Sequence, residues 1–243
     1  MTNIYDNDRF FEKYQQMARS QQGLAGADEW PTLEKLLPDF NGQSVLDLGC
    51  GYGWHARYAA KHGANMVVGV DLSAKMLAVA RSKTQSSVID YVQGDLAEVT
   101  FPVNQFDTVI SSLALHYVPS FSQVVDQIKT YLKPQGRLIF SVEHPVFTAQ
   151  GSEEWDYDEQ HHIKSFPVDH YFYEGPRVTD FLATPVKKYH RTLTTYLETL
   201  LARNFRLEHV VEPMPPKSML DLPGMADEMR RPMMLIVCAT NQK

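Results

Sequence analysis

Val45-Leu46-Asp47-Leu48-Gly49-Cys50-Gly51-Tyr52-Gly53-Trp54 decides how this chain folds. An apolar run ends in an acid, and glycines follow at every second position. The run reads as a buried strand, the glycines as a tight turn, and Trp54 as the start of a helix. Glycines let backbone approach a ligand that a Cβ would hold off, so the turn is built for a nucleotide-like cofactor.

Outward from this turn the chain alternates strand and helix patterns. Val45–Leu48 is the first strand, and the helix after it carries Ala56, Tyr58, Ala59 and Ala60 and stops near Gly63. Met66–Val70 is a second strand ending at Asp71, with Ser73 placed to cap a helix over Lys75–Lys83. Val88–Val92 and Phe106–Ile110 are further strands. Phe121, Val124, Val125, Ile128, Tyr131 and Leu132 share one helical face, and Lys133-Pro134-Gln135-Gly136 ends that helix before a fifth strand, Arg137–Val142. Solid apolar strands with helices between them imply an α/β fold, a doubly wound, mostly parallel sheet covered on both faces.

The pattern breaks after Val142. Eight aromatic residues fall between Phe147 and Phe181, with His161, His162, His170 and an acidic patch among them. Connections this long are usually lids or binding loops, so residues 143–187 are expected to form one. A helix is expected over Lys188–Asn204, then strands at Arg206–Val211 and Met234–Ala239, joined by a linker rich in Pro and Met. The chain thus divides into an N-terminal helical cap (1–43), a cofactor core (44–142), the lid (143–187) and a C-terminal helix with two strands (188–243).

Composition narrows the class. With 243 residues, 44% of them hydrophobic, the chain suits one enzyme-sized domain. A net charge of −6 argues against nucleic acid or an anionic membrane as partner, since both need a basic surface. Two cysteines, Cys50 and Cys238, do not make a disulfide framework. With no signal-like start at Met1, this favours the cytoplasm. His161-His162 lacks partners at metal-ligand spacing, so no metal is expected.

The cofactor can be narrowed from charge. A nicotinamide fold would show G-x-G-x-x-G, but the third glycine position holds Trp54. Asp71, 22 residues past Gly49 (71 − 49), suits the ribose of any adenosine ligand. Asp47 would repel a diphosphate but hold an ammonium, and Asp95 could accept from an adenine amino group. Three acids around one turn favour a cationic ligand, and S-adenosylmethionine carries a sulfonium and an ammonium against one carboxylate.

With these residues in view, the chain resembles the class I S-adenosylmethionine-dependent methyltransferases. It is most similar to the small-molecule group that includes the ubiquinone/menaquinone-biosynthesis enzymes. The matching segments are Val45–Trp54, Val67–Ser73, Gln93–Leu96, Phe106–Val118 and Leu132–Val142, in the family's order. The resemblance implies a seven-stranded Rossmann-like sheet whose last strand is antiparallel, inserted between the fifth and sixth. It implies that Asp47, Gly49, Gly51 and Gly53, with Cys50 inside the turn, hold the methionine end. Asp71 with Leu72 would take the ribose, and Met76, Asp95 and Leu96 would surround the adenine. Ser112 and Leu113 would floor the sulfonium. Tyr14, on a helix expected over Asp8–Arg19, would close over the carboxylate.

Methyl transfer from a sulfonium is an in-line displacement that needs mainly alignment and exclusion of water. An oxygen or nitrogen acceptor also needs a base. The expected candidates are His144 and then His190, with His116 and Glu143 also near the ends of strands four and five. No Asn/Asp-Pro-Pro-Tyr loop follows strand four, where Ser111-Ser112-Leu113-Ala114 stands, and no Pro-Cys nucleophile loop exists. The acidic balance and the aromatic insertion point to a small, partly apolar or aromatic acceptor. A protein or tRNA acceptor, a non-catalytic cofactor-binding module, and a homodimer built through the aromatic insertion stay open as alternatives.

Overall fold

The computed structural model describes residues 3–243. Strands β1 (Ser44–Leu48), β2 (Met66–Asp71), β3 (Ile89–Gln93), β4 (Phe106–Ser112) and β5 (Leu132–Glu143) come first. A one-turn helix, α7 (Pro145–Thr148), and four short strands of the insertion follow: β6 (Asp156–Tyr157), β7 (Ile163–Ser165), β8 (Gly175–Asp180) and β9 (Pro185–His190). The chain closes with β10 (Phe205–Val211) and β11 (Met234–Asn241). Seven of these make one sheet in the order β10-β11-β5-β4-β1-β2-β3. Only β11 runs antiparallel to its neighbours, between β5 and β10, as expected. The insertion forms two separate hairpins, β6–β7 and β8–β9.

Alternation along each strand sends side chains to opposite faces of the sheet. Leu46, Val68, Leu138 and Phe140 pack under α6 (Phe121–Tyr131) and α8 (Leu193–Leu201). Val45, Val67, Ile89 and Ile110 pack on the other face against Ala56 and Ala59 of α4 (Trp54–Lys61). The amphipathic stripe of α6 is buried as its spacing predicts, at Phe121, Val124, Val125, Ile128 and Tyr131. Ser73 caps α5 (Ala74–Ser82) by accepting from the Met76 N–H, and Ser120 and Thr192 cap α6 and α8 likewise.

Three boundaries differ from expectation. The N-terminal helix is broken into α1 (Asp8–Tyr14) and α2 (Ala18–Gln22), with α3 (Trp30–Leu33) after them. Strand five begins at Leu132, which pairs with Phe106, and residues 133–136 loop out before Arg137 rejoins β4 opposite Thr108. Gln135 in that loop has a φ of +62°, and Pro134 has no N–H to donate to a ladder. Lys188–His190 is strand rather than helix: Val186, Lys188 and His190 point inward at strand period, and the helix waits for the Thr192 cap. The lid hairpin therefore runs to His190, three residues past its expected end.

Candidate active site

The glycine turn is stitched to β2, because the N–H groups of Gly49 and Cys50 both donate to the Val70 carbonyl at 2.8 and 2.9 Å. Gly49, Gly51 and Gly53 have φ of +76°, +50° and +71°, a region that L side chains rarely occupy. Their surroundings divide them. A Cβ on Gly49 would overlap the Ala114 methyl, and one on Gly53 would overlap the Tyr91 phenol. A Cβ on Gly51 would meet nothing within 4 Å. Two of the glycines thus serve strand-to-loop packing, and Gly51 alone faces open space.

The acids stand around this turn. Asp47 is buried, and its Oδ2 accepts from the Ala56 N–H at 3.1 Å, fixing the start of α4. Its Oδ1 is buried with no hydrogen-bond partner among the described residues. Burial, reinforced by the Asp71 charge, pushes the Asp47 carboxyl up to about 7. Asp71 accepts from the N–H groups of Gly51 and Ser73, each at 2.8 Å, so it braces the turn. Each of its oxygens keeps a second lone pair for a ligand. Asp95 Oδ1 accepts from the Ala97 N–H at 2.8 Å, which shapes the turn after β3. Leu72 is exposed, Met76 is on the buried face of α5, and Leu96 packs partly into the core near Gly49. Leu113 is held at a φ of +51°, with its N–H donating to the Ser141 carbonyl at 2.9 Å.

Tyr14, Gly49, Cys50, Gly51 and Ser112 line one cleft, which encloses about 490 Å³ including space open to solvent. Arg19, Ser20, Tyr52, Trp54 and His55 complete its wall and were not anticipated. Ser20 Oγ, Tyr52 OH, Trp54 Nε1 and His55 Nε2 are buried without partners among the described residues, as is Oε2 of Glu29. Glu29 is ion-paired with Arg19 and accepts from Ser112 Oγ at 3.3 Å. Burial lowers His55 to about 4, so it is neutral at pH 7. Arg19, Ser20 and Trp54 bring donors to the cleft wall, Glu29 reaches it through Arg19 and Ser112, and Asp47 is buried two residues before Gly49; charges of both signs gathered at one turn suit a zwitterion. Tyr52, Trp54 and His55 lie inside or beside the decisive stretch, and their polar atoms were the legible signal. Arg19, Ser20 and Glu29 come from the cap, and nothing in their spacing marks them.

The expected bases lie outside this cleft. His144 is buried; its Nδ1 accepts from the Val146 N–H at 3.0 Å, and its Nε2 lies 2.9 Å from Glu212 Oε1. With Nδ1 accepting, Nε2 carries the proton and faces the carboxylate. His190 is fully buried between the Thr148 hydroxyl (2.7 Å) and the Tyr171 carbonyl (2.8 Å), so both nitrogens are engaged. Burial lowers the pKa of both rings. His116 is buried with its Nε2 3.9 Å from Glu143 Oε2. Among the described residues no group of three or more His, Cys, Asp or Glu is arranged to hold a metal.

Comparison with known proteins agrees with this geometry. A family model described as a methyltransferase domain matches residues 46–140. An S-adenosylmethionine-dependent methyltransferase from Mesorhizobium loti is 43% identical, with 90% of this chain and 100% of that one covered and a TM-score of 0.83. A Listeria monocytogenes structure assigned to the same class is 50% identical, with 91% and 100% covered and a TM-score of 0.87. The malonyl-[acyl-carrier protein] O-methyltransferase of Enterobacter lignolyticus is 38% identical over 128 residues, 53% of this chain and 48% of that protein. The chain belongs to the S-adenosylmethionine-dependent methyltransferases. It is an enzyme of that family, and S-adenosylmethionine is its methyl donor.

Proposed function

We propose that the enzyme methylates a small molecule held between the ends of β4 and β5 and the insertion that follows β5. The observation that carries the donor end of this reading is the set of unpartnered buried atoms around Gly51. The methionine ammonium would meet Asp47 and Glu29, and its carboxylate would meet Arg19, Ser20 and Trp54. Tyr14, Cys50, Gly49 and Gly51 wall that end, while Gly53 shapes the turn behind it. Asp71 and Leu72 would flank the ribose, and Asp95 and Leu96 the adenine, with Met76 supporting them from below. Ser112 and Leu113 would lie under the sulfonium, which supplies an electrophilic methyl group. The protein's own part is to align the acceptor, shed water and take a proton.

Small-molecule acceptance is supported by the net charge of −6, which disfavours nucleic acid. No helix of the described residues is long and apolar enough to cross a membrane, and both cysteines are free thiols, which suits a reducing cytoplasm. Neither His144 nor His190 has a nitrogen lone pair left free, which favours a base elsewhere. The Pro/Met linker lines a small hollow with Asp28 and Glu29. Calorimetric titration with S-adenosylhomocysteine and with NAD tests the donor end: tight binding of the first and none of the second is expected. Isotope-labelled donor incubated with metabolite pools then reports the acceptor. Label appearing only in protein or tRNA would overturn the small-molecule reading.

A further inference from the structure

Beside the cofactor cleft lies a second group of polar side chains with no part in holding the donor. Glu143 ends β5, two residues past Ser141, which pairs with the cleft residue Ser112 in β4. Lys188 projects inward from the lid strand β9, and its ammonium donates to Glu143 Oε1 at 2.6 Å and Glu153 Oε2 at 2.8 Å. The Lys188 side chain is 3% exposed and that of Glu153 8%. The remaining oxygens, Glu143 Oε2 and Glu153 Oε1, are buried with no partner among the described residues. On the cleft side the Tyr5 hydroxyl donates to that of Tyr117 at 3.1 Å, and the Tyr5 ring packs edge-on against Tyr14 of the cleft wall at 5.4 Å. Tyr117 and Tyr5 thus lie between this group and the cleft wall at Tyr14.

Charge identifies what this group lacks. Two carboxylates share one ammonium, and an unmatched buried charge is costly. His116 supplies none, because burial and the Lys188 and Arg191 charges hold its pKa well below the usual value. Arg191 is turned away, donating to the carbonyls of Leu115, Val118 and Pro119. Burial keeps the Tyr5 and Tyr117 phenols protonated, so they add no charge. In the free protein the surplus is relieved by a proton: burial, with the Glu143 charge, raises Glu153 to about 7, and that proton is held between the two carboxyls in a hydrogen bond. A ligand bringing N–H donors and one positive charge would fill both vacant oxygens and release that proton. A carboxylate ligand would meet like charge.

The geometry points to an amine as the methyl acceptor, seated on Glu143 and Glu153, with Glu143 as the catalytic proton acceptor. The inference rests on the proposed small-molecule methyl transfer and names its substrate class. The acceptor enters as an ammonium and gives one N–H proton to Glu143 Oε2. The freed nitrogen lone pair forms the bond to the methyl carbon, and the carbon–sulfur pair stays on sulfur. The positive charge thereby moves from sulfonium to the methylated ammonium, which remains opposite Glu153. The neighbouring sulfonium favours the first step, since a like charge weakens an ammonium's hold on its proton.

The test uses the full chain. Labelled donor with metabolite pools should give N-methyl products. Products methylated on oxygen, sulfur or carbon, or no methylated amine at all, would overturn the proposal. With S-adenosylhomocysteine bound, a panel of alkyl- and arylalkylamines should raise Tm, and carboxylates of the same size should not; the reverse preference would also overturn it. Glu143→Gln should lower kcat by about 10²-fold or more while S-adenosylhomocysteine affinity holds within about twofold. Glu153→Gln, which keeps the Lys188–Glu143 pair, should instead raise the amine KM about tenfold with kcat little changed. Equal kcat and KM for both variants and the parent would sink the assignment. Failure of S-adenosylhomocysteine to bind at all would sink the donor reading itself, a separate result from transfer to the wrong atom.

Discussion

Asp47 is the residue on which the donor site turns. It ends a buried strand, spends one oxygen on the Ala56 N–H and leaves the other empty, with its carboxyl raised to about 7. The donor's ammonium is a partner only for the ionised form. Affinity for S-adenosylhomocysteine should therefore fall as pH drops below about 7, by up to tenfold per unit, and level off above it. Calorimetry between pH 5.5 and 8.5 reads this directly, and Asp47→Asn should bind weakly at every pH with the slope gone. The same shift acts on stability with the opposite sense. A carboxyl raised in the folded state binds more protons there than when unfolded. Asp47's own contribution to stability should thus decline as pH rises from about 4 to 7, against the opposite trend from the buried histidines His55, His116, His144 and His190, and it is read as the pH dependence of the Tm difference between the parent and Asp47→Asn. S-adenosylhomocysteine should flatten that difference, because its ammonium restores the missing partner. A Tm difference between the two that does not change over that window would contradict the assignment. Asp47 was legible because an acid closing an apolar run is anomalous on its face. Arg19 and Ser20 were not, since an arginine and a serine on a short polar helix carry no such anomaly.

At the level of the element, the strand–turn–helix beginning at Val45 asks different things of its glycines. All three need positive φ, but only Gly49 and Gly53 are hemmed in by protein. Gly51→Ala should cost about 1–2 kcal/mol, the strain of a left-handed alanine, and weaken S-adenosylhomocysteine binding, because the methyl enters the cleft. Gly49→Ala should cost more, since the new methyl collides with Ala114 and separates β1 from the loop after β4. Urea unfolding of the two variants checks the order; equal losses would mean that Gly51 is as confined as its neighbour. The elements that the sequence made legible share one trait, a burial pattern written in apolar residues. The four central strands and α6 were found because Val, Ile, Leu and Phe mark their inward faces. β9 was misread because two of its three inward residues are Lys188 and His190, which periodicity counts as outward. Their burial depends on Glu143, Glu153 and Thr148, all distant in sequence. His144 and His190 were read from their positions alone, and only the fold shows the cap, carboxylate, hydroxyl and carbonyl that contact them.

Across the whole molecule, the insertion and the Pro/Met linker are fastened to each other through two adjacent arginines. The Arg231 guanidinium lies 4.6 Å from the Phe147 ring, 4.9 Å from Trp155 and 4.7 Å from Phe166, and pairs with Glu228 at 2.6 Å. Arg230 extends the clasp, donating to the Ile163 and Lys164 carbonyls of β7 at 3.3 and 2.8 Å. Aromatic residues that suggested an apolar or aromatic acceptor are thus partly occupied by the protein's own arginine. Of the other lid aromatics, Tyr157, Phe172 and Tyr173 face solvent, Tyr171 packs on His190 and Phe181 on Phe10. A desolvated guanidinium on an aromatic face is worth about 2 kcal/mol. None of that energy touches Gly51, Asp47 or Asp71, so the clasp and the donor cleft should separate experimentally. Arg231→Ala should speed amide hydrogen exchange across 147–166 and 213–231 by about tenfold or more and lower Tm by several degrees. S-adenosylhomocysteine affinity should stay within about twofold of the parent. Arg231→Lys should recover little, because a compact ammonium cannot lie flat against three rings. If exchange in the lid stays slow without the guanidinium, the hairpins are held by β8–β9 and the Lys188 pairs alone, and the linker is a separate wall. If donor affinity falls along with the clasp, lid and cleft close as one unit, and the acceptor must enter before the lid is fastened.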